Sequence, residues 1–147
     1  ATHRAGFKIE ELVEFVRAAS NSEEEFQQAV QDLHQALDKA AEKVSKSTPA
    51  EKSLVGQVDA LIDTLYFTYG SFVLMGVDPE RIFEIVHQAN MGKIFPDGKA
   101  HFDPVTHKIL KPDNWKEKYA PEPAIKKEIE RQIKAYERHK ERENRMS

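Results

Sequence analysis

The sequence predicts an all-α fold, and three observations predict it. No stretch alternates apolar and polar residues as a half-buried strand does. Helix start signals recur in "NSEEEF", "TPAE" and "DPER", with glycines placed where helices would stop. Apolar residues return every third or fourth position, the period of a helix with one buried stripe. At 147 residues the chain is most simply one domain, within the usual range of roughly 100–200 residues. Its 39% apolar and 32% charged residues suit helices with one apolar stripe and a wide wet face.

A first helix is expected over about Phe7–Ala19, with Ile9, Leu12, Val13 and Val16 as its stripe. The second opens at Ser22, where Glu25 three residues on completes a capping box. It carries Phe26, Val30, Leu33, Leu37, Ala40 and Val44, a near-heptad seam for helix–helix packing. Thr48 as cap, Pro49 at the first helical position and Glu51 at the third start the next helix. That third helix ends near Met75-Gly76. Asp78-Pro79 begins a fourth, stopped around Gly92. From Ile94 to Pro123 the chain has no stable periodicity and reads as a long lysine-bearing loop, a length at which loops are commonly functional or disordered. In the last helix Ile125, Ile129 and Ile133 stand four apart on an otherwise solvated surface, and its tail beyond about Tyr136 is expected to fray. The expected layout is a helical core over about 7–93, an irregular arm over 94–123 and a peripheral helix over 124–142.

Several function classes are excluded or disfavoured. A net charge of −3 and a pI of about 6.1 do not mark a general nucleic-acid binder, so no nucleic-acid polymer is expected as partner. With no cysteine there are no disulfides and no zinc–thiolate sites. The start "ATHRAGFKIEE" has no apolar signal region, and a cytoplasmic location is expected. Because the sequence starts without Met, a natural stretch is expected to precede it.

The segment "LVGQVDALIDTLYFTYGSFVLMGV", Leu54–Val77, is apolar enough to raise the question of a membrane. An Asp near the centre of a span costs about 2.5–3.5 kcal/mol on insertion scales, and this segment holds Asp59 and Asp63. A buried helix of a soluble protein, with no membrane partner, is the expectation. The two aspartates, at i and i+4, share one helix face. Carboxylates in low dielectric protonate or find cations, and no Lys or Arg lies between Lys52 and Arg81. On the first helix Glu10, Glu11 and Glu14 cluster opposite the apolar stripe. Phe7 and Phe15 fall on either side of Glu11, which argues that this face is partly covered. If the two helices pack side by side, these five acids converge. A hard divalent cation then relieves their repulsion, and oxygen-only ligands suit Mg²⁺ or Mn²⁺. The residues alone leave a second reading open, of wet surface acids and aspartates paired with lysines.

"EELVE" at Glu10–Glu14, "VDALIDTLYFTYG" at Val58–Gly70 and "VHQANMGK" at Val86–Lys93 together resemble the MazG-like all-α nucleotide pyrophosphohydrolases, in particular the phosphoribosyl-ATP pyrophosphohydrolase-like branch. The resemblance runs from about Phe7 to Trp115. It implies a four-helix core of the all-α NTP pyrophosphatase type, and Mg²⁺ held by an EExxE and an ExxD motif. Glu10, Glu11 and Glu14 fill the first motif, and Asp63 fits the aspartate of the second. Ala60 stands where the second motif has Glu, and Asp59 is the substitute on the same face. "VHQANMGK" and "KILKPDNW" look like the branch's phosphate-contacting region, which implies substrate contacts from Asn90, Lys93, Lys108 and Lys111. A Gly-Lys usual there reads His107-Lys108 here, so a different turn is expected.

The implied activity is hydrolysis of a nucleoside triphosphate to the monophosphate and pyrophosphate, with Glu11 or Glu14 as candidate catalytic base. Two rivals stand beside it: a helical dimerisation module without turnover, which Ala60 keeps open, and a narrower dUTPase-type activity. The third helix is apolar on nearly all sides, and the second has its seam. A homodimer or dimer of dimers is therefore expected. Trp115 either covers the site or anchors the loop, and Asn90 either donates to a phosphate or caps its helix.

Overall fold

The computed structural model describes residues 1–47 and 52–146. The expected start signal at Thr48, Pro49 and Glu51 lies outside the described residues. Among these there are six α-helices and no β-strand beyond two isolated bridges, so the all-α expectation holds. The chain divides into two compact units, Ala1–Ser53 and Leu54–Ser147.

The first unit is a helical hairpin, α1 (Thr2–Ala19) packed against α2 (Glu23–Ser47). Helix α1 starts five residues earlier than the apolar stripe predicts. The His3 and Phe7 rings meet edge-on at 4.8 Å, and the Arg4 guanidinium lies 5.9 Å from the Phe7 centroid. These i, i+3 and i, i+4 contacts extend a helix that has no side-chain cap. The turn between the helices is fixed by polar bonds. Ser22 Oγ accepts from the Glu25 N–H at 3.2 Å, as a capping box requires. The Glu25 carboxylate reaches one residue further back than the usual box, accepting from the Asn21 N–H at 2.7 Å. Arg17 closes the hairpin by pairing with Glu23 at 2.7 Å and stacking 4.8 Å over Phe26. Hydrogen bonds from Gln27 and then Arg17 hold the Glu23 carboxyl below the usual carboxylate range.

Burial in this hairpin is partial. Val13 and Val16 of α1 and Phe26, Val30 and Leu33 of α2 are half-buried, whereas Ile9, Leu12 and Phe15 stay exposed. The seam of α2 continues past its partner, leaving Leu37 and Val44 exposed.

The second unit contains α3 (Leu54–Met75), α4 (Glu80–Met91), the short α5 (Trp115–Tyr119) and α6 (Glu122–Met146). Helix α3 stops in a Schellman motif. The Val77 N–H donates to Phe72 O and the Gly76 N–H to Val73 O, both at 3.0 Å. Gly76 sits at φ +66°, a region that only glycine enters without strain. Asp78 Oδ1 accepts the Glu80 N–H at 3.1 Å and so starts α4. No single helix among the described residues is long and apolar enough to cross a membrane. The α3–α4 pair reaches the length together but is bent by 120°.

Helix α6 packs against α4 and clamps the α3–α4 elbow. The Gln132 amide acts there as a piece of backbone: its Oε1 accepts the Asp78 N–H at 2.9 Å and its Nε2 donates to Asp78 O at 3.0 Å. One turn earlier, Glu128 is 4% exposed and accepts both ends of the Arg131 fork at 2.7 and 2.8 Å. Gln132 adds a third bond at 3.1 Å, and Arg81 of α4 approaches to 3.5 Å. A buried carboxylate is tolerable because it is fully paired. The second half of α6 stays helical to Met146 where fraying was expected. It is exposed and rich in good helix formers, with His139 and Glu143 3.4 Å apart at i, i+4.

The hydrogen bonds from Arg131, then Gln132, with the charges of Arg131 and Arg81, lower the Glu128 pKa to about 2. A depressed carboxylate pKa stabilises the fold above its unfolded value of 4.5, and that contribution is lost as pH falls towards about 2. Glu128→Gln should therefore melt below the wild type at neutral pH, by a margin constant above pH 4.5 that closes towards pH 2. Paired thermal unfolding curves across that range check it.

Candidate functional site

The carboxylates that the sequence singles out are carried by α1 and α3. Glu10, Glu11 and Glu14 are exposed on α1, where they fall within little more than one turn. Asp59 and Asp63 are exposed one turn apart on α3. Among the described residues, no side-chain hydrogen bond or ion pair engages Glu11, Glu14, Asp59 or Asp63. The reading in which lysines neutralise the two aspartates therefore gains no support. Within either unit, no three His, Asp or Glu side chains among the described residues are gathered as a metal-ligating group.

The basic candidates are organised around the C-terminal end of α4. The last four carbonyls of a helix lack intrahelical partners, and here each finds one. Gln88 O accepts from the Gly92 N–H at 2.9 Å, Asn90 O from Lys93 and Met91 O from Ile94, both at 3.1 Å. The remaining carbonyl, Ala89 O, takes the Trp115 indole N–H at 2.8 Å. Trp115 is 8% exposed and Ala89 4%, and these are the only buried hydrophobic side chains among the described residues. The tryptophan thus anchors the loop.

Around that indole the structure brings together three of the four proposed phosphate contacts. Lys111 Nζ lies 4.2 Å and Lys93 Nζ 5.9 Å from the Trp115 ring centroid, within cation–π range. Lys93 Nζ also donates to Asn90 Oδ1 at 2.7 Å, and Asn90 Nδ2 donates to Val86 O at 3.1 Å. Both ends of the Asn90 amide are engaged, one in holding a lysine. A cation just past a helix C-terminus is also favoured by the helix dipole.

The arm that carries Lys108 and Lys111 is two small turns in series, ordered by aspartates. Asp97 Oδ1 accepts the Lys99 N–H at 3.0 Å, and Oδ2 pairs with His101 Nε2 at 2.7 Å. His101 stacks on Phe95 with centroids 4.2 Å apart. In the second turn Asp103 Oδ1 accepts from the Thr106 and Val105 N–H groups and the Thr106 hydroxyl, at 2.7 to 3.0 Å. The bond from His101 first, for Asp97, and the Thr106 N–H first, for Asp103, hold both carboxyls below their usual range. His107 occupies φ +56°, the left-handed region. Where a turn different from that of the usual Gly-Lys was expected, His107 keeps a glycine-like backbone, at the steric cost of a side chain there. Lys108 is exposed on this turn, its carbonyl accepting the Asp103 N–H at 2.9 Å.

Sequence reasoning read Gly92 only as a helix stop and missed Tyr119; together the two close the stem of the arm. A Cβ on Gly92 would lie 2.5 Å from Tyr119 Cγ, so the absence of a side chain is what lets α5 approach α4. It missed Glu128 and Gln132 as well, since Glu-x-x-Arg on a charged helix looks like any surface pair.

The family model for phosphoribosyl-ATP pyrophosphohydrolase matches residues 1–90, the span of α1 to Asn90. Lys93, Lys108 and Lys111 lie beyond that match. A crystal structure described as a "putative NTP pyrophosphohydrolase" from Exiguobacterium sp. 255-15 superposes with a TM-score of 0.80 at 44% identity. The alignment covers 92% of this chain and 80% of that one. No curated protein matches.

Overpacking of a closed junction costs about 1–3 kcal/mol, and Gly92→Ala should destabilise the fold by about that much. The cost should largely vanish in a Tyr119→Ala background, as a double-mutant cycle by chemical denaturation would measure.

Proposed function

The chain belongs to the phosphoribosyl-ATP pyrophosphohydrolase family, hydrolases acting on phosphoric anhydrides, and from that premise we propose that it is a Mg²⁺-dependent nucleotide pyrophosphohydrolase. It cleaves a nucleoside triphosphate, or a related nucleotide, to the monophosphate and pyrophosphate. The observation that carries this reading is the basic group at the end of α4. Lys93 and Lys111 stand at one buried indole, and Asn90 holds Lys93, an arrangement suited to a polyphosphate anion. Lysine binds phosphate as a point charge, and Lys108 on the neighbouring turn is the fourth proposed contact.

The ligands proposed for Mg²⁺, or Mn²⁺ in its place, are Glu10, Glu11 and Glu14 of α1 with Asp59 and Asp63 of α3. The donor set fits a hard cation, being all oxygen, in a chain without cysteine. A bound divalent ion would neutralise phosphate charge and lower the pKa of a bound water. The chain's own part in the chemistry is proton transfer and charge placement. The water oxygen bonds to the α-phosphorus, and the α–β bridging bond breaks with its electron pair leaving on pyrophosphate. The water's proton passes to a carboxylate, Glu11 or Glu14. The lysines then hold the departing anion.

A second copy of the chain is the proposed partner. None of Leu54–Gly70 is even half-buried, although the stretch includes Leu61, Ile62, Leu65 and Phe67. A contiguous apolar surface of this kind marks an interaction site. It supports a homodimer or a dimer of dimers.

Incubation with a panel of nucleoside triphosphates and Mg²⁺ should yield monophosphate and pyrophosphate, and Glu14→Ala should abolish turnover while the fold is kept. Orthophosphate with a nucleoside diphosphate would overturn the assignment of the cleaved bond. In a separate measurement, millimolar Mg²⁺ or Mn²⁺ should raise the melting temperature, by mass action worth about 2.7 kcal/mol at a hundredfold excess over Kd. Glu10→Ala/Glu14→Ala should lose that rise. Sedimentation should show a dimer or larger species, and Phe67→Lys a smaller one; a monomeric wild type would remove the second copy from the proposal.

A further inference from the structure

Trp115 is the only tryptophan in the chain, and its two chemical features are used separately. The indole N–H is committed to Ala89 O, which fixes the ring against the end of α4. The π system attracts two ammonium groups, Lys111 Nζ at 4.2 Å and Lys93 Nζ at 5.9 Å from its centroid. Like charges drawn to one ring repel each other, and their separation cannot exceed the sum of those two distances. A neutral ring attracts cations by its quadrupole but cancels none of their charge. A diphosphate hydrogen-bonded at its two ends covers such a span and relieves that repulsion.

We propose that Trp115 is a positioning residue for a diphosphate subsite: the buried indole sets the spacing of Lys93 and Lys111, which receive the pyrophosphate portion of the nucleotide. This rests on the reading of the chain as a nucleotide pyrophosphohydrolase. It adds the element that holds the lysines in place, since free lysine side chains would each lose rotamer freedom on binding. The indole itself touches neither the substrate nor the reacting atoms.

The sole tryptophan reports on its own site. Titration of the wild-type protein with inorganic pyrophosphate at constant ionic strength should change its fluorescence saturably. Lys111→Met should weaken the apparent affinity roughly tenfold, the loss of one charge-assisted contact. A flat titration, a change that sulfate reproduces at equal ionic strength, or an unaltered affinity in Lys111→Met would overturn the proposal. In turnover, Trp115→Leu should raise KM about threefold to tenfold with kcat nearly unchanged, the pattern of lost uniform binding. Trp115→Phe keeps a π face without the N–H donor and should fall between. An unchanged KM in folded Trp115→Leu, or a fall in kcat alone, counts against the proposal. If Trp115→Leu does not fold, the wild-type titration and Trp115→Phe decide. Pyrophosphate binding without any hydrolysis would remove the catalytic reading and leave the subsite standing. Hydrolysis with a flat titration would do the reverse.

Discussion

The hydrogen bond from the Trp115 indole to Ala89 O joins two parts of the chain that have little else in common. On one side is a regular amphipathic helix whose end must have its carbonyls satisfied. On the other is an arm of more than twenty residues with no periodicity of its own. The bond completes the helix terminus and at the same time fixes where the arm returns. Around that point lie the buried apolar contact, the close approach of Tyr119 to Gly92, and the group of lysines. A long loop pays a large ordering entropy. Here it is met by one buried aromatic and two aspartate-centred turns.

The acids on α1 and α3 pose the complementary problem. Several charged side chains among the described residues belong to local pairs: Arg17 with Glu23, Lys46 with Glu42, Glu128 with Arg131. Glu11, Glu14, Asp59 and Asp63 do not join any such pair among the described residues. Asp59 and Asp63 also interrupt a helix whose other residues are nearly all apolar. A helix that buries so little within its own unit cannot owe its stability to packing there. Its composition makes sense when a second surface covers it.

Much of the fold was legible because helix ends are written locally. Ser22 and Glu25 announce their cap, Gly76 its left-handed turn and Gly92 the end of α4, each by residue types with one strong structural preference. The shared faces of Glu10, Glu11 and Glu14, and of Asp59 and Asp63, follow from helical period alone. What escaped depends on particular side-chain contacts that the apolar periodicity does not encode. The early start of α1 comes from His3 packing on Phe7, and the burial of Glu128 from the approach of Arg81 on a distant helix. The arm's turns had visible signals in "FPDGK" and "FDPVTHK", but its path back to α4 did not. For Trp115 the sequence left two roles open, covering the site or anchoring the loop, since only coordinates show what its N–H meets.

The closed stem of the arm separates two kinds of tolerance to change. Closing a flexible loop costs free energy only as the logarithm of its length, about 0.6 kcal/mol for each doubling. Residues inserted between the two aspartate turns would therefore add little to the cost of closure. Gly92 and Trp115 allow no such latitude, because one is a gap that must stay empty and the other a plug that must stay full. Variation in arm length is thus thermodynamically cheap at the place where it would reshape what lies above the lysines, and expensive at the hinge below them.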